Sequence, residues 1–215
     1  MSHKDLPTIK VCVLGETGVG KTCLSNKLTK GYNYKHNYLE EPTIGASFMC
    51  RKYEDSDNNL YRINIWDTAG QERYRSLAPM YYRDTVVALI VYDITNYESW
   101  SELEYWVDEL CKNTTNTTII LIGNKYDLVD NMKIDLNDID EFTKSNENVK
   151  HIFFSAKKDD NCNKILDLIV KDYQDKIKRG VMFNIPLYSP KNTRVNLDKD
   201  RYWCSNTLSN IFDCC

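Results

Sequence analysis

The sequence predicts an α/β fold in which a mostly parallel six-stranded sheet, with one antiparallel strand at its edge, carries helices on both faces. Apolar, β-rich runs alternate along the chain with segments of helical spacing, which is the pattern of such folds. Several runs are continuously apolar, as strands covered on both faces should be. One pair of runs is separated by too few residues for a crossover helix, which indicates an antiparallel connection.

Six segments have the composition of strands. In chain order they are Ile9–Leu14, Phe48–Tyr53, Tyr61–Trp66, Val86–Tyr92, Thr118–Ile122 and Ile152–Phe154. Between the second and the third lies Asp-Ser-Asp-Asn-Asn at residues 55–59, a turn-forming sequence. We therefore expect these two strands to form a hairpin at one edge of the sheet.

Helical spacing is clearest in Ser99–Lys112 and Cys162–Ile177, where apolar residues recur at intervals of three and four. A third helix-like stretch, Leu24–Lys30, comes shortly after the first strand. Composition changes after Gly180, where Pro, Asn and Ser become frequent and no period is sustained. The predicted organisation is an N-terminal extension (1–7), one globular domain (8–179) and a flexible C-terminal tail (180–215).

Composition excludes several classes of function. The 28 Lys and Arg residues against 31 Asp and Glu residues give a net charge of −3, which argues against a nucleic-acid-binding protein. No apolar run approaches the roughly 18 residues of a membrane helix, and the first ten residues lack a signal-peptide core. The eight cysteines form no C-x-x-C pair, which argues against zinc and favours a reducing compartment. We expect a soluble, cytosolic monomer.

A phosphate-binding loop follows the first predicted strand. The segment Gly15-Glu-Thr-Gly-Val-Gly-Lys21-Thr22 matches G-x-x-x-x-G-K-[ST] between a strand and a helix-like stretch, the context that this motif requires. Its glycines, Gly15, Gly18 and Gly20, let backbone N–H groups wrap a polyphosphate. In such a loop Lys21 reaches the β- and γ-phosphates, and the Thr22 hydroxyl is a ligand for Mg²⁺.

Two later motifs predict recognition of guanine. Asn124-Lys125-Tyr126-Asp127 follows the fifth strand, and Ser155-Ala156-Lys157 follows the sixth, so both lie at the edge where α/β sheets bind ligands. The Asp127 carboxylate can accept hydrogen bonds from the two adjacent donors of guanine, whereas adenine would leave it unpaired. Asn124 can serve the other edge of the base, and the Lys125 stem can cover its plane. Backbone N–H groups of residues 155–157 complete the predicted pocket.

Between these motifs lies a segment suited to hydrolysis. Asp67 ends a strand where a carboxylate can hold Mg²⁺ through water, and Gly70 can bring its N–H to the γ-phosphate. The Gln71 amide offers a donor and an acceptor with which to orient an attacking water. Upstream, Thr43 supplies a second hydroxyl for the metal; a loop residue without a ligand is its alternative interpretation.

The order of these motifs resembles that of the Ras-like small GTPases. The segments 44–48, 65–67 and 73–77 are similar to the Rab subfamily, and residues 76–83 with Tyr92-Asp-Ile-Thr95 are most similar to its early-endosomal group. The resemblance covers roughly residues 8–178. It implies the small G domain of P-loop NTPases, binding of GTP and GDP with Mg²⁺, and slow hydrolysis that an activating protein accelerates.

The resemblance also implies further functional residues. Thr17, Val19 and Cys23 join the nucleotide-binding set, and Phe48, Trp66 and Tyr81 match the aromatic triad through which Rab proteins contact effectors. Family members place an aromatic ring against the guanine, a role we assign to Tyr34, with Tyr32 as the alternative. The chain departs from the family here, because the segment between Lys21 and Thr43 is a few residues longer.

The terminal pair Cys214-Cys215 resembles the double geranylgeranylation site of Rab proteins. The resemblance therefore implies a lipid anchor, cytosolic and endosomal-membrane locations, and a set of protein partners. These are an exchange factor, an activating protein, effectors, a GDP-dissociation inhibitor, the Rab escort protein and geranylgeranyltransferase. Two other classes stay in view: a nucleotide kinase, which would bind adenine nucleotide, and a GTP-binding interaction module without hydrolysis.

Overall fold

The computed structural model describes residues 6–35, 42–71, 78–159 and 162–181, together with the backbone of Asn206–Thr207. The predicted lipidation sites Cys214 and Cys215 lie outside the described residues. The strands are β1 (Thr8–Leu14), β2 (Ala46–Glu54), β3 (Leu60–Thr68), β4 (Val87–Asp93), β5 (Thr118–Asn124), β6 (Val149–Phe153) and β7 (Asn206–Thr207). The α-helices are α1 (Lys21–Lys30), α2 (Ala78–Tyr82), α3 (Tyr97–Ser101), α4 (Leu103–Asn113), α5 (Leu136–Ser145) and α6 (Asn163–Lys178).

The strands form one sheet in the order β6-β5-β4-β1-β3-β2-β7. Strand β1 pairs in parallel with both β3 and β4, and β5 pairs in parallel with β4 and β6. Strand β2 runs antiparallel to β3, with Phe48 opposite Trp66. The predicted mostly parallel α/β sheet with an antiparallel pair is confirmed.

Strand β7 is a strand that the sequence did not predict. Within the segment interpreted as a flexible tail, Asn206 and Thr207 pair antiparallel with Phe48 and Ser47 of β2. An edge strand such as β2 presents backbone N–H and C=O groups on its outer side, and any extended segment can pair with them without a special sequence. Because this pairing does not depend on side chains, the pattern of apolar residues in the sequence does not reveal β7.

Two hydrophobic clusters cover the two faces of the sheet. One includes Leu24 of α1 and Ile165 of α6, and the other includes Leu103 of α4 and Ile139 of α5. Consecutive residues of β1 contribute to opposite clusters, as Val11 and Cys12 show. The helices therefore lie on both faces, as the sequence predicts. In the described part of the chain, no helix combines the length and the apolar character needed to span a bilayer.

The helices differ from the predicted ones most clearly in a division of one helix and in an additional helix. The predicted helix Ser99–Lys112 is divided into α3 and α4 at Glu102. Asn96 is the N-cap of α3, and its side chain accepts a hydrogen bond from the Glu98 N–H (2.9 Å). Helix α5 was not predicted. Ile139 is its one residue classed as buried, so its apolar stripe is too narrow for periodicity to reveal it.

A buried ion pair joins α6 to the amino ends of the central strands. The Lys176 ammonium lies 2.7 Å from an Asp172 carboxylate oxygen, and both side chains are less than a tenth exposed. Lys176 also donates to the Val86 carbonyl (2.8 Å), and Asp172 accepts from the Thr118 hydroxyl (2.8 Å). Burial lowers the pKa of Lys176, opposed by its contact with Asp172. The pair therefore stabilises the edge of the sheet formed by the amino ends of the strands, opposite to their carboxyl ends.

We expect Asp172→Asn to lower the free energy of unfolding by about 3 kcal/mol, because it leaves the buried Lys176 without its counter-charge. The measurement is urea denaturation followed by circular dichroism. The matched control is Asp108→Asn, which removes the exposed i,i+4 pair with Lys112 and should leave the midpoint unchanged. Equal midpoints for the two variants would contradict the prediction.

Candidate functional site

A cavity of about 450 Å³ opens at the carboxyl ends of the strands. Most of its lining was predicted from the motifs or from the family resemblance: Thr17, Gly18, Gly20, Lys21, Thr22, Cys23, Thr43, Gly70, Gln71, Asn124, Lys125, Asp127, Ala156 and Lys157. Three lining residues were not: Pro42, Thr68 and Leu128. Since loops from β1, β3, β5 and β6 meet here, the order of the strands explains why motifs far apart in sequence share one cavity.

The loop after β1 forms one end of the cavity. Gly20, at φ 93°, precedes the first residue of α1, and a Cβ there would collide with the Asn124 amide. Lys21 is buried (6% exposed), and its ammonium donates to the Glu16 carbonyl (2.7 Å). Burial lowers the pKa of Lys21 to about 8, while the nearby Asp67 and Glu16 carboxylates oppose that shift. A desolvated cation at a helix N-terminus suits a polyphosphate.

Oxygen donors suited to a hard cation lie beside this loop. The Thr22 and Thr43 hydroxyls share a hydrogen bond of 2.9 Å, and Asp67 is fully buried near Lys21. Among the described residues no cluster of three His, Cys, Asp or Glu side chains forms a complete metal site. Two hydroxyls with a carboxylate nearby fit Mg²⁺, which takes a few protein oxygens and completes its shell with water and phosphate.

Gly70 lies directly against the phosphate loop. A Cβ at Gly70 would be 2.7 Å from both the Glu16 carbonyl oxygen and the Thr17 amide nitrogen, so glycine alone permits this approach. The next residue, Gln71, is partly exposed and lines the cavity. The backbone amide and the side-chain amide predicted to act at the γ-phosphate therefore lie at the same end as Lys21.

The opposite end of the cavity is built from β5 and the segment after β6. The Asn124 side chain donates to the Val19 carbonyl (2.8 Å) and accepts from the Ala156 N–H (3.0 Å). The sequence analysis assigns Asn124 to the base edge, which stays a prediction. In the structure its side-chain nitrogen and oxygen join the phosphate loop to the 155–157 segment. Ser155 donates to an Asp127 carboxylate oxygen (2.6 Å), which orients that carboxylate.

Four predicted nucleotide-binding residues are not part of the cavity lining: Gly15, Val19, Tyr34 and Ser155. Val19 and Ser155 contact lining residues instead: Val19 accepts a hydrogen bond from Asn124, and Ser155 donates one to Asp127. Tyr34 is buried (8% exposed), with the Lys30 ammonium 5.9 Å from its ring centre, so its contact with guanine stays a prediction. The 3₁₀ turn Gly31–Asn33 ends α1 and directs the chain this way, while Tyr32 is 74% exposed.

The residues that sequence reasoning missed gave weak signals. Leu128 directly follows Asp127 in a 3₁₀ turn and adds an apolar wall, a position recognisable only once the Asp127 loop is placed. The Thr68 hydroxyl donates to the Val13 carbonyl (2.7 Å) and so ties the end of β3 to β1. Pro42 stands beside Thr43 and enters the cavity with it.

The three aromatic residues of the predicted effector surface lie together. Phe48 and Trp66 have ring centroids 5.2 Å apart, and Trp66 and Tyr81 are separated by 6.0 Å. They come from β2, β3 and α2 and are each partly exposed. Ile44 and Met80, which are 79% and 70% exposed, lie one to four residues from them along the chain. The three rings form one apolar cluster, and exposed apolar side chains flank it along the chain.

Comparisons with known proteins agree with this geometry. A model of the Ras family matches residues 10–175. Human Ras-related protein Rab-31 is 46% identical over 138 residues, which are 64% of this chain and 69% of that protein. Human Rab-22A is 42% identical over 74% of this chain and 80% of its own length. Rab-5B of Plasmodium falciparum is 35% identical over 83% of this chain and 84% of its own length.

Proposed function

Because this chain belongs to the Ras family, and within it to the Rab small GTPases, we propose specific roles for the residues of its cavity in a GTP-dependent switch. The chain is a GTP-hydrolysing switch of endosomal trafficking that acts with exchange factors, activating proteins and effectors. The observation that carries the residue assignments is the cavity itself, since it has a buried lysine at one end and an oriented carboxylate at the other.

At the base end, Asp127 binds the ring N–H and exocyclic amine of guanine, oriented by Ser155. The Ala156 N–H is bonded to Asn124, which keeps the 155–157 segment against the pocket. At the phosphate end, loop N–H groups and Lys21 bind the β- and γ-phosphates. Thr22, Thr43 and Asp67 would hold Mg²⁺, which supplies positive charge against the phosphate oxygens when it is bound.

Hydrolysis requires an ordered water. Gln71 accepts a hydrogen bond from that water with its side-chain oxygen and so directs the water at the γ-phosphate. The Gly70 N–H contacts a γ-phosphate oxygen, so loss of that phosphate releases Gly70 together with Thr43. The release of these two segments changes the surface next to Ile44 and Phe48, and it therefore communicates the nucleotide state to effectors.

The direct experiment is extraction of nucleotide from purified protein followed by chromatography. We expect GDP or GTP in near-stoichiometric amount and slow conversion of GTP to GDP, on the order of 10⁻³ s⁻¹ or below without an activating protein. Adenine nucleotide would overturn the proposal in favour of a kinase. Tightly bound GTP that an activating protein does not convert would indicate an interaction module.

The effector surface is proposed to be Phe48, Trp66 and Tyr81. Partly exposed aromatic rings in contact are typical of binding hot spots. We expect Tyr81→Ala to weaken effector binding in the GTP state by about 2 kcal/mol, or thirtyfold, without changing GTP affinity. Titration against an endosomal Rab effector by calorimetry measures this, with the exposed Tyr105→Ala as control. Unchanged effector affinity in Tyr81→Ala would remove this residue from the surface.

The tail is proposed to carry two lipid chains, on Cys214 and Cys215. One chain gives only marginal anchoring, and a polybasic segment cannot replace the second because residues 180–215 contain four Lys or Arg and three Asp. Escort protein, geranylgeranyltransferase and GDP-dissociation inhibitor are then required to load the chain and to keep a cytosolic pool. Intact mass of the protein from native cells should show two prenyl groups, and two unmodified thiols would contradict this.

A further inference from the structure

Lys125, in the Asn-Lys-x-Asp motif, is held by a carboxylate outside that motif. Its ammonium lies 2.6 Å from an Asp93 carboxylate oxygen, and the two side chains are 35% and 10% exposed. Lys125 itself has a left-handed backbone (φ 63°) and lines the cavity two residues before Asp127. The alkyl stem of Lys125 therefore runs along the cavity wall from a fixed backbone to a fixed ammonium.

Asp93 is well placed to act as an anchor. It is the last residue of β4, in register with Asn124 at the end of β5. One carboxylate oxygen accepts from both the N–H (2.9 Å) and the hydroxyl (2.7 Å) of Thr95, which leaves the other oxygen directed at Lys125. Burial alone would raise the pKa of Asp93, but hydrogen bonds from Lys125 and Thr95 lower it below the ordinary value. The anchor is therefore charged at neutral pH.

We propose that Asp93 is a positioning residue for guanine binding, because it holds Lys125 in the conformation whose stem forms one wall of the base pocket. This inference rests on the proposed guanine-nucleotide function. Without Asp93 the ammonium is free to turn toward solvent or toward the phosphates, and the stem leaves the wall. Ordering a free lysine side chain on binding then lowers nucleotide affinity on the order of tenfold.

The competing explanation is that Asp93 only stabilises the turn at residues 93–96 through Thr95. The two explanations differ in whether a second substitution, at Lys125, removes the effect of Asp93→Asn on nucleotide release. If Asp93 acts through Lys125, Asp93→Asn should have no effect once Lys125 is shortened or made apolar. If it acts only on the turn, the effect should persist in that background, and Thr95→Val should reproduce it.

The test measures release of fluorescent GDP from the full chain by stopped flow. We expect Asp93→Asn and Lys125→Met each to accelerate release about tenfold, the double variant to be no faster than Lys125→Met, and Thr95→Val to be near wild type. IDP lacks the exocyclic amine of GDP. Each variant should accelerate release of IDP, relative to wild type, by the same factor as it accelerates release of GDP, because the stem covers the ring plane and not the amine that Asp127 binds. Different accelerations of GDP and IDP release in Asp93→Asn would overturn the inference.

Three other results would also overturn it: unchanged release in Asp93→Asn, additive effects in the double variant, or a Thr95→Val variant as fast as Asp93→Asn. Lys125→Met keeps the Asp93–Thr95 turn, so normal release in that variant overturns the inference even where Asp93→Asn does not fold. Failure of the wild type to bind GDP would instead refute the proposed function. The two failures are thus distinguishable.

Discussion

Replacing Asp127 with alanine is expected to lower GDP affinity by a factor of about 10² to 10⁴ and to abolish the preference for GDP over ADP. Each hydrogen bond to a charged acceptor contributes about 1.5 to 3 kcal/mol, and guanine makes two of them to this carboxylate in the proposed complex. The discrimination disappears as well, because the variant has no buried carboxylate for adenine to leave unpaired. Competition of GDP, IDP and ADP against a fluorescent nucleotide measures both effects.

The matched control is Ser155→Ala, which removes the 2.6 Å hydrogen bond to Asp127 but keeps the carboxylate. It should weaken GDP binding far less and keep the preference for guanine. Asp127→Ala should also bind GDP and IDP equally, since nothing remains to read the amine. A persistent preference of the Asp127→Ala variant for guanine would show that another group recognises the base.

Gln71→Leu is expected to reduce stimulated GTP hydrolysis about a hundredfold or more and to keep the protein in its GTP state. Leucine has a similar volume but neither accepts nor donates a hydrogen bond, so the attacking water loses its orientation. The measurement is single-turnover phosphate release with and without an activating protein. A parallel assay of effector capture should show a larger GTP-bound fraction.

Nucleotide affinity provides the control for Gln71→Leu. Because the role proposed for Gln71 is contact with the water and not with the ground-state nucleotide, GDP and GTP should bind as in the wild type. Unchanged stimulated hydrolysis would contradict the catalytic assignment. A large loss of affinity for both nucleotides would instead indicate that Gln71 stabilises the cavity.

Much of the fold was predictable because strand burial and loop length leave direct signatures. The short 55–59 connection required an antiparallel pair, and β2–β3 is that pair. The continuously apolar run at Val86–Tyr92 required a central strand, and β4 lies between β5 and β1. Most of the cavity lining followed as well, because each motif directly follows a strand whose carboxyl end faces the ligand.

The rest could not be predicted from sequence because it depends on how the chain packs. The direction of Tyr34 is set by the turn at Gly31–Asn33, and pairing of β7 depends on backbone groups that every residue carries. Asp93 is 31 positions before Asn124 in sequence yet beside it in the sheet, so its contact with Lys125 appears only when β4 and β5 are aligned.

The two ends of the strands are joined by different means. At the amino ends, Lys176 and Asp172 connect α6 to Val86 and Thr118 through hydrogen bonds within the protein, which need no ligand. At the carboxyl ends, the strands meet around an open cavity, and Asn124 joins its two sides through bonds to Val19 and Ala156. Loss of the nucleotide should therefore destabilise the two ends unequally. Amide hydrogen exchange should rise first around the cavity, while the amino ends of the strands stay protected. An exchange factor would then act on a protein that is already prone to open at the cavity.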